Sequence, residues 1–193
     1  STVLLGLGAT LKFFEKSKPS HRLLREGIIV GLPAVVIGAY SISFINENLA
    51  RQFLGLLILL VFFLSFTKSH NQDRTKSNTL IVYPLLFIIG FLNGSLSAGT
   101  GLLYTLMLTK LYGYTYKEAI GYTLLVVGLF YNLVGAIVLY LMSSIDISLL
   151  PILLFGSFAG GYVGAMVAIK KSNVLIKSAY QLVTLIVAYK LLF

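Results

Sequence analysis

The sequence contains no cysteine and no tryptophan, and only six of its 193 residues are acidic. Without cysteine, disulfide bonds, thiolate catalysis and iron–sulfur ligation are excluded. Charged residues make up 11% of the chain and hydrophobic residues 58%, whereas a soluble domain has about 25% charged residues. Such a chain has too little polar surface to cover itself in water, so its expected solvent is lipid.

Six apolar stretches match or approach the ~20 residues that a helix needs to cross a bilayer. They are residues 27–45, 53–66, 80–98, 119–142, 147–169 and 174–193. Two shorter apolar pieces, 1–11 and 101–111, accompany them. No pattern of charge, short apolar core and cleavage site precedes the spans, so we expect no cleavable signal. The pattern predicts an all-α polytopic membrane protein.

The formal net charge of +9 has a simple explanation in such a protein, because cytoplasmic loops collect Lys and Arg. Nucleic acid is therefore not an expected partner. No Lys or Arg lies between Lys117 and Lys170, which predicts a hairpin whose tip, residues 143–148, faces outward. We expect the cation-rich loops on the cytoplasmic side of the plasma (inner) membrane.

Residues 101–111 form an apolar piece that is too short to span the bilayer. At ~1.5 Å per residue they cover only about half of its thickness. Together with the preceding span they predict a re-entrant or broken helix over residues 80–111. Non-helical backbone at membrane depth is tolerated only where protein or a water-filled cavity surrounds it, so the break is the first candidate for a functional site.

The two ends of the chain can be aligned with each other without gaps. The alignment pairs Gly38-Ala39 with Gly164-Ala165 and Leu23-Leu24 with Leu149-Leu150. Corresponding loops then carry opposite charge character, as in the inverted repeats of many transporters. We therefore predict an inverted-repeat helical bundle with three regions. Residues 1–67 form an incomplete first repeat with three membrane helices, the first truncated. Residues 68–79 form a polar cytoplasmic linker, and residues 80–193 form a second repeat with the broken helix and three membrane helices.

The second repeat, and the first repeat from Ser1 to Phe66, resemble a known family. The segment GFLNGSLSAGTG at residues 90–101, KEAIGYTLL at 117–125, the glycine-rich stretch 146–171 and LIK at 175–177 are similar to the sulfite exporter TauE/SafE family. The resemblance implies two related units, transport of sulfite, sulfonates or related organic anions, and no cofactor. Ser97 and Thr100 stand where the family usually has glycine, and Leu106 where it has proline.

The break also supplies the predicted substrate-binding residues. A broken helix presents free N–H groups and the positive end of its dipole, which attract an anion. Glycines allow the turn, and nearby hydroxyl and amide groups can replace the water around the anion. The candidates are Asn93, Ser95, Ser97, Gly99, Thr100, Gly101, Thr105, Tyr122, Thr123 and Asn132. Each hydroxyl can equally serve helix packing, since Ser and Thr often bond across membrane helices.

Two functions remain open from the sequence. The first is a secondary transporter for small anions, and the second is a non-transporting structural or accessory subunit of a larger membrane complex. No Asp or Glu lies deep within an apolar span, which argues against a carboxylate proton relay. The chain shows no motif of an enzyme, and we expect neither a metal nor a catalytic residue. Expected partners are the lipid bilayer and a small anion, with a homodimer or other membrane subunits left open.

Overall fold

The computed structural model describes residues 2–15, 20–41, 46–66, 79–96, 99–142 and 150–192. Within these ranges the chain forms α-helices and one π-helix, which continues directly from α6 into α7. The elements are α1 (Thr2–Phe13), α2 (His21–Ser41), α3 (Glu47–Phe66), α4 (Thr79–Leu96), α5 (Thr100–Leu111), α6 (Tyr116–Thr123), the π-helix (Leu124–Tyr131), α7 (Asn132–Met142), α8 (Leu150–Lys170) and α9 (Asn173–Leu192).

Local polar contacts fix several helix starts. The Thr115 hydroxyl accepts the Glu118 N–H at 3.3 Å, and the Glu118 carboxylate accepts the Thr115 N–H at 3.0 Å, which is a capping box at the start of α6. At the start of α2, Arg22 Nε donates to Glu26 at 2.8 Å across one turn. This pair supports a helix from His21 onward, so α2 begins before the apolar run that predicted it.

The prediction of an all-α membrane protein is confirmed. In the described part of the chain, three helices are long and apolar enough to cross a membrane: His21–Ser41, the continuous helix Tyr116–Met142, and Pro151–Lys170. Shorter apolar segments lie in α1, α3 and α4. The predicted linker, apart from Thr79, and the predicted hairpin tip at 143–148 lie outside the described residues.

The helices pack in pairs around a buried centre. α2 lies along α4, α1 along α8, and α3 along α9. Large side chains such as Tyr104, Tyr131 and Leu86 are almost completely buried between them. In contrast, Leu80 and Phe155 are more than four-fifths exposed, as expected for side chains that face lipid.

Cationic helix ends from distant parts of the chain meet at one end of the bundle. Lys117 at the start of α6 donates to the Ile169 carbonyl near the end of α8, at 2.5 Å. Lys177 of α9 lies 5.9 Å from the centre of the Tyr116 ring. We call this region the cationic end. It brings lysines of α6 and α9 together near the end of α8.

Candidate functional site

The broken helix is present and its two halves are joined by a left-handed residue. α4 ends at Leu96 and α5 begins at Thr100. Gly99 between them has φ 74°, a conformation that glycine adopts without steric cost. At ~1.5 Å per residue α5 is only ~18 Å long, so it is too short to cross the ~30 Å hydrocarbon layer. α5 alone therefore cannot span the membrane.

The amino terminus of α5 has backbone donors without a side-chain cap. Gly99 adopts the N-cap position, and none of the described side chains caps this helix. The N–H groups of Leu102 and Leu103 donate to the Gly99 carbonyl at 2.9 and 3.4 Å. The N–H groups of the first turn and the helix dipole together favour negative charge at this point.

Helix α3 covers the break. A Cβ atom added at Gly99 would overlap Cδ1 of Ile58 and lie 3.9 Å from Cδ1 of Leu54. Both apolar side chains are buried, as is Thr100, which is 1% exposed. Lipid and bulk water are therefore kept away from the break on this side, and the structure shows a closed site.

A chain of polar side chains runs from the break to the long helix that ends at Met142. Thr100 Oγ1 donates to Asn93 Oδ1 at 2.7 Å, and Asn93 Nδ2 donates to Asn132 Oδ1 at 3.2 Å. Asn132 Nδ2 in turn donates to the Gly128 carbonyl at 3.3 Å. We call Thr100, Asn93 and Asn132 the polar chain. It links α5, α4 and α7 in the interior of the bundle.

A second polar contact lies one turn further along α5. The hydroxyls of Thr105 and Thr123 are 2.8 Å apart, and Thr123 donates to the Ala119 carbonyl at 2.8 Å. A Cβ atom at Gly101 would lie 3.3 Å from Thr123 Cγ2. Gly101 and Thr105 therefore share the face of α5 that looks toward α6.

The structure places the other predicted residues differently. The Ser95 hydroxyl donates to the Phe91 carbonyl of its own helix at 3.0 Å, so it is turned away from the polar chain. The Tyr122 hydroxyl accepts the Ser20 N–H at 2.8 Å, near the start of α2 and toward the cationic end. Ser97 lies outside the described residues.

Two features of the site were missed from the sequence. The first is the cover that Ile58 of α3 forms over Gly99, a contact between helices distant in the chain. The second is the π-helix Leu124–Tyr131 between Thr123 and Asn132. π-Helical turns are frequent at functional sites, but no composition signal distinguishes these eight apolar residues from an ordinary helix.

The polar side chains of the polar chain are neutral. Asn amides, Thr hydroxyls and the first N–H groups of α5 surround the break, and none of the described carboxylates takes part in the polar chain. Glu26, the buried carboxylate of α2, is bonded instead to Arg22 and to the Tyr112 hydroxyl. No group of three or more metal-ligating side chains occurs within the described ranges.

Comparison with known proteins identifies the chain more closely. The sulfite exporter TauE/SafE family model matches residues 1–191. Among curated relatives, the probable membrane transporter protein YfcA of Escherichia coli K12 is 22% identical over 191 residues, which cover 97% of this chain and 71% of YfcA. The proteins of the same name from strains O6:H1 and O157:H7 match equally well. No solved structure matches. The chain is an integral membrane protein that belongs to the sulfite exporter TauE/SafE family of membrane transporters.

Proposed function

We propose that this transporter carries small anions, such as sulfite, sulfonates or related organic anions, through a site at the break between α4 and α5. The observation that carries the proposal is the uncapped amino terminus of α5 beside the polar chain, buried within the bundle. Backbone dipoles and neutral donors can hold an anion there with no cationic side chain. The cationic end then faces the cytoplasm of a plasma (inner) membrane, following the usual loop bias.

In the closed structure the donors around the break already bond to one another. Asn93 accepts from Thr100 and donates to Asn132. An anion would take over these donors, so transport requires the polar chain to open and α3 to withdraw from Gly99. Alternating access in transporters with inverted repeats arises from movement of one unit against the other around such a site.

The same closed network is what favours the second candidate, a non-transporting membrane subunit. Polar groups that satisfy each other between helices can serve packing alone. The two functions differ in one measurable property, because only the transporter moves an anion across a sealed bilayer.

The test is anion flux into liposomes that contain the purified protein, with sulfite, thiosulfate, methanesulfonate and acetate as probes. Asn93→Leu removes the central donor of the polar chain. We expect it to lower flux by about tenfold or more, since a hydrogen bond to a charged group contributes about 1.5–3 kcal/mol. Ser95→Ala is the matched control, because Ser95 lies on the same helix but bonds to its own backbone, and its flux should stay near that of the unaltered protein.

Two results would overturn the proposal. Unchanged flux in a folded Asn93→Leu protein would remove the break from the transport path. Absence of flux for all four anions in the unaltered protein, with circular dichroism showing intact helices, would favour the accessory subunit instead.

A further inference from the structure

An apolar groove of about 180 Å³ lies between α1, α6 and α8. Its walls are formed by Leu5, Ala9, Phe13, Ile120, Leu124, Gly160, Gly161, Gly164, Ala165 and Ala168. Gly161 packs closely against the Leu5 carbonyl of α1, whereas Gly160 and Gly164 have no neighbouring atom within 4 Å of the position of a Cβ. Small residues four positions apart usually allow close contact between helices in membranes. Gly160 and Gly164 have this spacing, but none of the described residues packs against them.

The internal repeat shows what occupies the matching place in the other unit. The same alignment that pairs Gly38 with Gly164 also pairs the whole of α3 (Glu47–Phe66) with the whole of α9 (Asn173–Leu192). These two helices of equal length pack against each other in opposite directions. Leu54, in the first half of α3, clusters with Ala188 near the end of α9. Ser65, near the end of α3, accepts from Gln181 at 3.0 Å. Equivalent helices crossing in this way are expected around the axis of an inverted repeat.

In this alignment α8 is the equivalent of α2. The α2 residues that correspond to the groove residues of α8 pack against α4. A Cβ atom at Gly90 of α4 would lie 3.1 Å from the Ala34 Cβ. One at Gly94 would overlap the Val35 carbonyl and lie 2.8 Å from the Ala39 nitrogen. One at Gly38 would overlap the Phe91 carbonyl. The two backbones are therefore in direct contact through their small residues.

The α2 residues in this contact correspond one by one to the α8 residues of the groove. In the same alignment, Ala34 falls on Gly160 and Val35 on Gly161. Gly38 and Ala39 fall on Gly164 and Ala165. All four α8 positions line the groove. The groove is thus the place that α4 fills in the other unit, with residues at least as small.

We propose that this groove is a docking surface for a membrane-spanning helix of the α4 type, with small residues four positions apart, supplied by a further segment of the same transporter polypeptide. A helix fits better than a lipid chain because the pattern of the walls is that of the α2 face, which receives helix backbone. The YfcA relatives contain sequence outside the matched region, so a polypeptide of this family has room for such a segment. This inference concerns assembly and does not depend on which solute is carried.

The first test compares bulky substitutions in the protein expressed from its complete gene. Gly164→Phe meets open space in the described structure, but it would block a docked helix. We expect it to lower Tm by about 2–12 °C, because overpacking a protein interior costs about 1–3 kcal/mol. Val163→Phe, on the neighbouring exposed position, is the matched control and should leave Tm unchanged. Equal Tm values for both variants and the unaltered protein would overturn the proposal.

The second test identifies the occupant. A photoreactive benzoylphenylalanine replaces Ala168 in the groove wall, and the cross-linked product in native membranes is sequenced by mass spectrometry. The expected product is a cross-link within one polypeptide, to a segment with Gly, Ala or Ser four positions apart. A product of doubled mass, a cross-link to another protein, or adducts confined to lipid or to the 193 residues of this sequence would each overturn the proposal. Anion flux is measured on the same preparations, so a failure of the proposed function is seen separately.

Discussion

Replacing Gly99 by alanine tests the left-handed turn that separates α4 from α5. With φ at 74°, an L side chain costs about 1–2 kcal/mol in backbone strain. The added Cβ would also overlap Cδ1 of Ile58 and lie 3.1 Å from its Cγ1, and such overpacking costs about 1–3 kcal/mol. We expect Gly99→Ala to lower the free energy of unfolding by roughly 2–5 kcal/mol, measured by reversible unfolding in mixed micelles of detergent and sodium dodecyl sulfate.

A second substitution separates the two costs. Ile58→Val removes Cδ1 and by itself costs about 0.5–1.5 kcal/mol. In that background only the 3.1 Å contact with Cγ1 remains, so Gly99→Ala should cost little more than the backbone share of about 1–2 kcal/mol. Gly101→Ala, at the same break, is the matched control and should stay within about 1 kcal/mol of the unaltered protein. A loss of less than about 0.5 kcal/mol for Gly99→Ala would refute the left-handed turn, and equal losses in both backgrounds would refute the contact with Ile58.

Two further pairs of substitutions test contacts between helices. Asn93→Ala and Asn132→Ala should show a coupling energy of about 0.6 kcal/mol in a double-mutant cycle, the average for membrane helices, and strict additivity would mean that the two amides do not bond. Glu26→Leu removes the acceptor of the Tyr112 hydroxyl and should lower the free energy of unfolding by about 1–3 kcal/mol, whereas Glu26→Gln, which keeps an acceptor, should cost less. Equal losses for the two Glu26 variants would show that the hydrogen bond to Tyr112 contributes nothing.

Much of the fold was predictable because membrane helices must satisfy their backbone groups internally. Length and hydrophobicity therefore located the three helices that are long and apolar enough to cross a membrane, and the short apolar piece at 101–111 located the break. Helix ends were harder to predict from hydrophobicity. α2 begins at His21 and α3 at Glu47, each about six residues before its apolar run, because polar residues can extend a helix into the interface.

The candidate site was predictable only as a set of residue types. Asn93, Thr100 and Asn132 were identified as donors near the break, and the structure joins them in one chain. Nothing in the sequence distinguishes Ser95, two positions after Asn93, from the residues of the polar chain. Its hydroxyl nevertheless bonds to the backbone of its own helix. The direction of a short polar side chain is set by the rotation of its helix and by its neighbours. The cover from Ile58 likewise depends on how α3 packs, which local sequence does not specify.

The π-helix has a geometric consequence for the long helix from Tyr116 to Met142. In an unbroken α-helix, at about 100° per residue, Asn132 would point roughly half a revolution away from Thr123, nine positions earlier. The structure instead has Thr123 bonded to Thr105 of α5 and Asn132 bonded to Asn93 of α4. The wider π-helical turns between the two residues rotate less per residue. A single helix can therefore place Thr123 against α5 and Asn132 against α4. Loss of those wider turns would swing one of the two side chains out of reach.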